Sequence, residues 1–520
     1  MSTQFSNGWA QVELGELIDK STDKADPTEI DPVPYVGLEH IEQGTGKLSG
    51  HGQSSEVKST KAKFSEGDLL YGKLRPYLNK VWIASFDGVC STDILVFPPA
   101  EKVSQKYLYY RLLSSDFVQY ANAKSSGVNH PRVSYKKVSQ FEVGLPSLSE
   151  QRRIVAKIEE LFSELEAGVA DLKRAKKQLQ RYRKSVLQAA VEGRLTADWR
   201  RTHDPEPADR LLERILEERR EQWEERYRWE RYESKGKEPP SGWKDRYSEP
   251  EEPELNDELP ELPETWEWVS LDQVLLEDLR NGKSVRSREG GFPVLRLNAI
   301  ENGEIDTSVH KEGDWTEEEA SKFIIERNDF FVARGNGSID LVGRGGLVVE
   351  DDPLDVAFPD TMVRVRVHAR RFDPHFLRIA WDSRLVREHL ESAARTSAGI
   401  HKVNQDDLRS TLLPLPPSAE QKQIVNEVER LLSVADDAAV TVEREIKRAE
   451  RLRQSILKRA FSGQLVEKEK RSGKVGEMLP LFDEEGTQQV QNKEANNALK
   501  NLRGQWPGEE SIDELLDALD

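Results

Sequence analysis

Two pairs of polar loops, one pair in each half of the chain, carry the side chains best suited to chemistry, and that chemistry is contact with nucleic acid. In the first half, Lys73, Arg75, Tyr77, Asn79 and Lys80 form one group, and Lys124, Ser125, Ser126, Asn129, His130, Arg132, Ser134 and Tyr135 form another. In the second half the groups are Arg334, Asn336, Ser338 and Arg344, then Arg395, Thr396, Ser397, His401, Lys402 and Asn404. Arg and Lys can read guanine, Asn can read adenine, and hydroxyls and Lys chains can hold phosphates. Glycines at 127, 335, 337 and 399 let the backbone approach a ligand closely. Taken alone, each group is more often an ordinary solvated turn. Recurrence at matching places in both halves raises the DNA reading to an equal footing.

Catalytic motifs are missing. An adenine amino-methyltransferase needs an Asn/Asp-Pro-Pro-aromatic loop, and none of the Pro-Pro pairs (Pro98-Pro99, Pro239-Pro240, Pro416-Pro417) supplies it. Gly282-Lys283-Ser284 resembles the end of a phosphate-binding loop, but Glu277 stands where the first glycine is required. No zinc-ligand spacing is present, the nine histidines are scattered, and Asp351 and Asp352 read as turn residues. The sequence therefore predicts no catalytic residue and no metal site. Cys90, the single cysteine, excludes an internal disulfide.

The loops must be positioned by a duplicated frame. Glu150-Gln151-Arg152-Arg153-Ile154-Val155 is matched 270 positions later by Glu420-Gln421-Lys422-Gln423-Ile424-Val425. Gly193-Arg194-Leu195 is matched by Gly463-Gln464-Leu465 at the same offset. Between these points the first copy places Ile158, Leu161, Leu165, Leu172, Leu179 and Val186 on a seam at steps of three and four. The second places Val428, Leu431, Val442, Leu452 and Ile456 likewise. Such a heptad seam predicts two long helices that pair with each other. At about 1.5 Å per residue each is a rod of roughly 65–70 Å. Glu445 falls on the seam, where a charge fixes register at a cost in stability. Ser147 with Glu150, and Ser418 with Gln421, have capping-box spacing, and Gly193 and Gly463 mark the helix ends.

The repeat extends outward: Trp9 to Leu14 resembles Trp266 to Leu271, and Leu145-Pro146 resembles Leu415-Pro416. This gives a fold of the α+β (mixed α/β) class with a pseudo-twofold internal repeat. Globular domains are expected at 1–148 and 265–417, and long helices at 149–195 and 418–465. An acidic helical insert with a Pro/Glu-rich linker occupies 196–264, and an acidic C-terminal tail occupies 466–520. In the globular domains, residues 104–122 and 373–394 each read as a helix. The stretches 33–41, 68–72, 80–84 and 90–97, and then 293–300, 328–334, 340–349 and 356–367, read as strands.

A net charge of −18 is unusual for a DNA binder, but it is localised. The insert holds 13 basic and 22 acidic residues and the tail 7 and 13, which leaves the rest near neutral and able to carry basic patches. The insert reads as solvated linker, coreless from Pro239 to Pro263, with partner docking as the sharper reading. In the tail, Met478 to Phe482 and Ile512 to Leu519 are small apolar patches in an otherwise polar stretch. There is no run of 18 apolar residues and no N-terminal targeting signal, so no membrane and a cytoplasmic location are expected.

The doubled helix start, carried by Pro146, Glu150, Gln151, Ile154 and Val155 and by Pro416, Glu420, Gln421, Ile424 and Val425, resembles that of the specificity subunit of type I restriction-modification systems. The resemblance covers roughly 5–200 and 265–467. It implies two target-recognition domains separated by an antiparallel pair of long helices. Each domain would read one half of a split double-stranded DNA target, and the helix pair would set the gap. It also implies partners: two modification (methyltransferase) subunits that bring S-adenosylmethionine, and restriction (translocase/nuclease) subunits that use ATP and Mg. No cofactor would be bound by this chain. Two other readings stay open on the residues alone, a coiled-coil scaffold that never reads DNA and a methyltransferase or nuclease in its own right.

Overall fold

The seam residues do form helix. The computed structural model, which describes residues 9–257, 259–350, 355–397 and 399–466, contains long helices at Leu148–Val191 and Ser418–Phe461. Ile158, Leu161, Leu172, Leu179, Val186, Val428, Leu431, Val442 and Ile456 are buried, and Leu165 and Leu452 half-buried. Glu445 is buried on the seam with Arg448 3.7 Å away. Both helices end on a left-handed glycine, Gly193 at φ 71° and Gly463 at φ 73°. Arg194 N–H returns to the Ala189 carbonyl and Gln464 N–H to that of Arg459, each at 2.9 Å, which satisfies a terminal carbonyl in each case. Asp351, Asp352 and the two apolar patches of the tail lie outside the described residues.

The chain divides into two compact units, with cuts inside the long helices after Arg174 and after Val440. In the first unit, the opening of the first long helix packs on the close of the second. Ile154, Ile158, Leu161 and Phe162 share one core with Ile456, Leu457, Ala460 and Phe461. In the second unit the opposite ends meet: Thr196, just past the first helix, bonds Glu420 at the start of the second, and Arg183 pairs with Asp436. In both units the helices therefore run antiparallel.

Each globular domain is closed by its own first and last strands. Ala10–Glu13 pairs antiparallel with Glu142–Leu145, and Glu267–Ser270 with Leu412–Leu415. The central strands Leu69–Gly72 and Phe330–Ala333 are buried along their whole length, as their apolar runs demand. In the first domain Leu69–Gly72 sits between Val81–Ile83 and Ile94–Phe97. In the second, Phe330–Ala333 lies within a six-stranded sheet between Gly345–Leu347 and Met362–Val365.

Two expectations are corrected. The helix read at 104–122 is two, Gln105–Leu113 and Ser115–Ala123, and that at 373–394 is Pro374–Trp381 and Arg384–Ala393. Ser114 and Ser383 break them in extended backbone, and the Ser383 hydroxyl accepts from Val386 N–H at the new start. The helix expected in the charged part of the 196–264 insert is present, but the stretch 239–263, read as coreless, does pack, since Trp243 stacks on the insert's own Tyr227. That helix, Ala208–Arg231, buries Ala208, Leu211 and Ile215. Trp223, Tyr227 and Trp243 stack, the last two rings 6.2 Å apart and 1° from parallel. Arg219 pairs with Asp272 at 3.2 Å and Glu218 with Arg371 at 2.6 Å, which fastens the insert to the second domain. Its many charges conceal these anchors because the partners of Arg219 and Glu218 lie 53 and 153 residues away in sequence.

Candidate nucleic-acid interface

The Glu-Gln pair that opens each long helix explains why the helix and its domain repeat together. Glu150 accepts from the Trp9 indole at 3.1 Å, and Glu420 from that of Trp266 at 2.9 Å. The Gln151 carbonyl accepts from Ser104 N–H at 2.8 Å and its amide donates to the Pro146 carbonyl at 2.9 Å. Gln421 does the same with Asp373 N–H at 2.7 Å and Pro416 at 2.8 Å. One glutamine thus holds the entry to the long helix against the first helix of the split pair in its own domain. The capping box read at the first start is half present, with Glu150 N–H on the Ser147 hydroxyl at 3.3 Å. At the second, the Ser418 hydroxyl instead donates to the Arg371 carbonyl.

This frame brings the separate polar loops of each domain together. In the first domain the chain leaves the central strand at Lys73, whose carbonyl accepts from Val133 N–H at 3.0 Å. Arg75 N–H reaches the Pro131 carbonyl at 2.7 Å, and Ser126 bridges Arg132. In the second domain Arg334 follows the equivalent strand, and its carbonyl accepts from Val403 N–H at 3.0 Å. Gly335–Asn336 then pairs with Ile400–Lys402, which pairs in turn with Arg395–Ser397. The same backbone bond therefore joins the two predicted loops in both halves.

The loop side chains divide into two sets. Arg75, Tyr77, Lys124, Ser126, Asn129, His130, Ser134, Arg395, Thr396 and Lys402 are exposed, as is Ser338. Arg75 holds φ 52°, a left-handed conformation uncommon for a non-glycine residue, at a tight turn. Lys73, Ser125, Arg334, Asn336, His401 and Asn404 are half-buried, and Ser397 lies on the edge strand. His401 meets the Thr396 hydroxyl at 3.0 Å, and the Asn404 side-chain oxygen Oδ1 caps the helix that follows by accepting from Asp407 N–H at 2.8 Å. Arg344 is exposed and donates to the Asp340 carbonyl at 3.0 Å.

Three side chains read as contacts serve the fold instead. Asn79 is buried, with its amide on the Leu113 carbonyl at 3.2 Å. Lys80 donates to the Leu38 and Ile41 carbonyls at 2.6 and 2.8 Å. Tyr135 is half-buried, with its hydroxyl 3.4 Å from the Ile18 carbonyl. Arg132 is exposed but forks onto Asp93 at 3.0 and 3.1 Å, and this pairing holds the Asp93 carboxyl below the usual range. Polar residue types point to only one member of a further class. Of the eight large hydrophobics exposed among the described residues, Tyr77, Val128, Leu341 and Ile400 all sit on or beside these loops, and Val128 is 99% exposed. Only Tyr77 was expected there. Exposed apolar groups among polar ones suit thymine methyls, and the signal was an apolar residue between turn formers, as in Gly127-Val128-Asn129.

A family model described as the type I restriction modification DNA specificity domain matches residues 6–173 and 263–448, one copy per half. The chain belongs to that family. Sequence recognition in DNA, rather than catalysis, is the role this membership assigns. It is 33% identical over 221 residues to the Escherichia coli type I restriction enzyme EcoDI specificity subunit, an overlap of 41% of this chain and 49% of that relative. With the EcoKI specificity subunit of E. coli K12 it shares 24% identity over 73% of this chain and 69% of the relative. A solved structure from work on assembly and conformational transition of a type I R-M system shares the fold, with a TM-score of 0.60, 20% identity, and coverage of 89% of this chain and all of the other. No helix among the described residues is long and apolar enough to cross a membrane.

Proposed function

We propose that this chain reads a bipartite duplex target, with one half-site per globular domain, and that the helix pair sets the unspecified gap between them. The observation that carries this reading is the repeated joining of two polar loops by one backbone bond, Lys73 to Val133 and Arg334 to Val403. The two joined surfaces share a frame but differ in side chains, so each domain reads a different sequence. Each well-placed bidentate base contact would discriminate by about 1–3 kcal/mol, and separate half-sites add roughly. Methyl transfer and cleavage fall to partners: two modification subunits carrying S-adenosylmethionine, which must flip the target adenine, and restriction subunits using ATP and Mg. The reading is tested by co-expressing the chain with a modification subunit and mapping N6-methyladenine across the host genome. A split motif with a fixed gap, methylated on both strands, is expected. A stable complex that adds no methylation would instead favour a scaffold that never reads DNA.

A further inference from the structure

In the second unit, a cleft of about 1,720 Å³ opens between the first long helix and the globular domain. Its domain wall carries Arg344, Arg384 and Arg387, and its helix wall carries Lys177, Arg181 and Lys184. The two walls differ in one respect. On the domain side each guanidinium already has a partner: Arg344 the Asp340 carbonyl, Arg384 Glu388 at 2.6 Å, and Arg387 Glu391 at 3.0 Å. On the helix side Lys177, Arg181 and Lys184 are exposed, and none bonds or pairs with another described residue. The acids that share the cleft largely offset the domain's cations, so the unbalanced positive charge lies on the helix.

Steps of four and three put these cations on one face of the helix, turned away from buried Leu179, Tyr182 and Val186. Lys177 to Lys184 spans about 10 Å of helix. That matches about three phosphate-to-phosphate steps along one strand of a duplex, each about 3.4 Å along the axis. The cleft also adjoins the reading surface. A second cavity of about 570 Å³ shares Ile300 and Arg344 with it and is lined by Asn336 of the recognition loop. In the first unit, Lys447 and Arg451 stand on the second long helix 270 positions after Lys177 and Arg181, and both are exposed.

We propose that Lys177, Arg181 and Lys184 form a phosphate-binding wall that grips the DNA backbone beside the half-site read by the second domain, and that Lys447 and Arg451 do the same for the first. The long helices are then part of the DNA interface as well as spacers. The inference rests on the DNA reading proposed above. An acidic partner protein could also suit a row of cations, but a cavity that adjoins the one lined by Asn336 favours the nucleic acid that Asn336 would contact.

The test uses the full chain co-purified with modification subunits. Its affinity is measured by fluorescence anisotropy, between about 50 and 200 mM salt, for a duplex carrying the mapped motif and for a scrambled duplex. Neutralising three phosphate contacts (K177Q/R181Q/K184Q) should lower the slope of log affinity against log salt by about 2.7. Affinity for both duplexes should fall by the same factor, and the methylated motif should not change. K177R/K184R should keep the wild-type slope, which separates charge from helix integrity, and K447Q/R451Q should lower the slope by about 1.8. An unchanged slope in the triple variant overturns the proposal, and so does loss of the modification subunits at an unchanged slope. A wild-type complex that binds motif and scrambled duplexes equally would instead overturn the sequence-reading function, since the salt slopes are measured on both.

Discussion

The two glutamates of the repeated Glu-Gln motif should differ sharply in what they contribute. Glu420 is fully buried and receives four bonds, from the Thr196 hydroxyl at 2.7 Å, Arg200 Nε at 2.9 Å, Arg200 Nη2 at 2.8 Å and the Trp266 indole at 2.9 Å. Glu150 is half-buried and accepts from Trp9 at 3.1 Å. Replacing Glu420 by Ala takes the carboxylate from a guanidinium that is 19% exposed and keeps only the Gly193 carbonyl and Thr196 hydroxyl, and leaves a buried indole without its acceptor, which costs about 3–5 kcal/mol. Replacing Glu150 by Ala removes one bond to a carboxylate that is only half-buried, where solvent screening keeps its worth to about 1.5 kcal/mol or less. A chain of two units does not give one unfolding free energy, so the readout is local hydrogen exchange. Amides at 196–200 and 266–270 that exchange by the affected opening should speed up by about two to nearly four orders of magnitude in E420A. In E150A, amides at 10–14 should change by about tenfold or less. Glu420→Gln, which keeps the shape but not the charge, should fall between. Equal effects of the two Ala variants would refute the claim that buried charge pairing, rather than the motif itself, sets the cost.

Three further outcomes follow from the structure. Exchanging residues 73–78 and 124–134 for the matching loops of another specificity subunit should change one half of the methylated motif and leave the other intact, as read by methylation mapping. Four residues added in register to a long helix add about 6 Å, so the preferred gap should grow by about one or two base pairs; an unchanged gap would refute the spacer role. The insert should loosen in acid. Burial lowers the pKa of His368 from its ordinary 6.5, and the Arg371 bond lowers that of Glu218 from 4.5. Each folded pKa lies below its unfolded value, so the stabilisation is complete above pH 6.5 and is lost as pH falls, first through His368 and then through Glu218. Fluorescence of Trp223 and Trp243 should report that loss, and a Glu218→Gln variant should keep only the His368 part.

The sequence determined what depends on local periodicity and repetition. The spacing of Ile158, Leu161, Leu172 and Leu179 requires a helical stripe that no short loop could bury, and Gly193 and Gly463 end both helices because only a residue without a side chain adopts their left-handed backbone at no cost. The 270-residue offset exposed the duplication, and with it the matched positions of the polar loops. What the sequence could not supply was the fate of each polar side chain, because that depends on partners distant in the chain. Asn79 and Lys80 look like Arg75 in composition, yet carbonyls of Leu113, Leu38 and Ile41 claim them. The insert looks solvated by charge count, yet Asp272 and Arg371 satisfy its ions and dock it. Tertiary structure also decided that loops some 60 residues apart become one surface, since a hydrogen bond from Val133 to Lys73, or from Val403 to Arg334, leaves no mark on either segment alone.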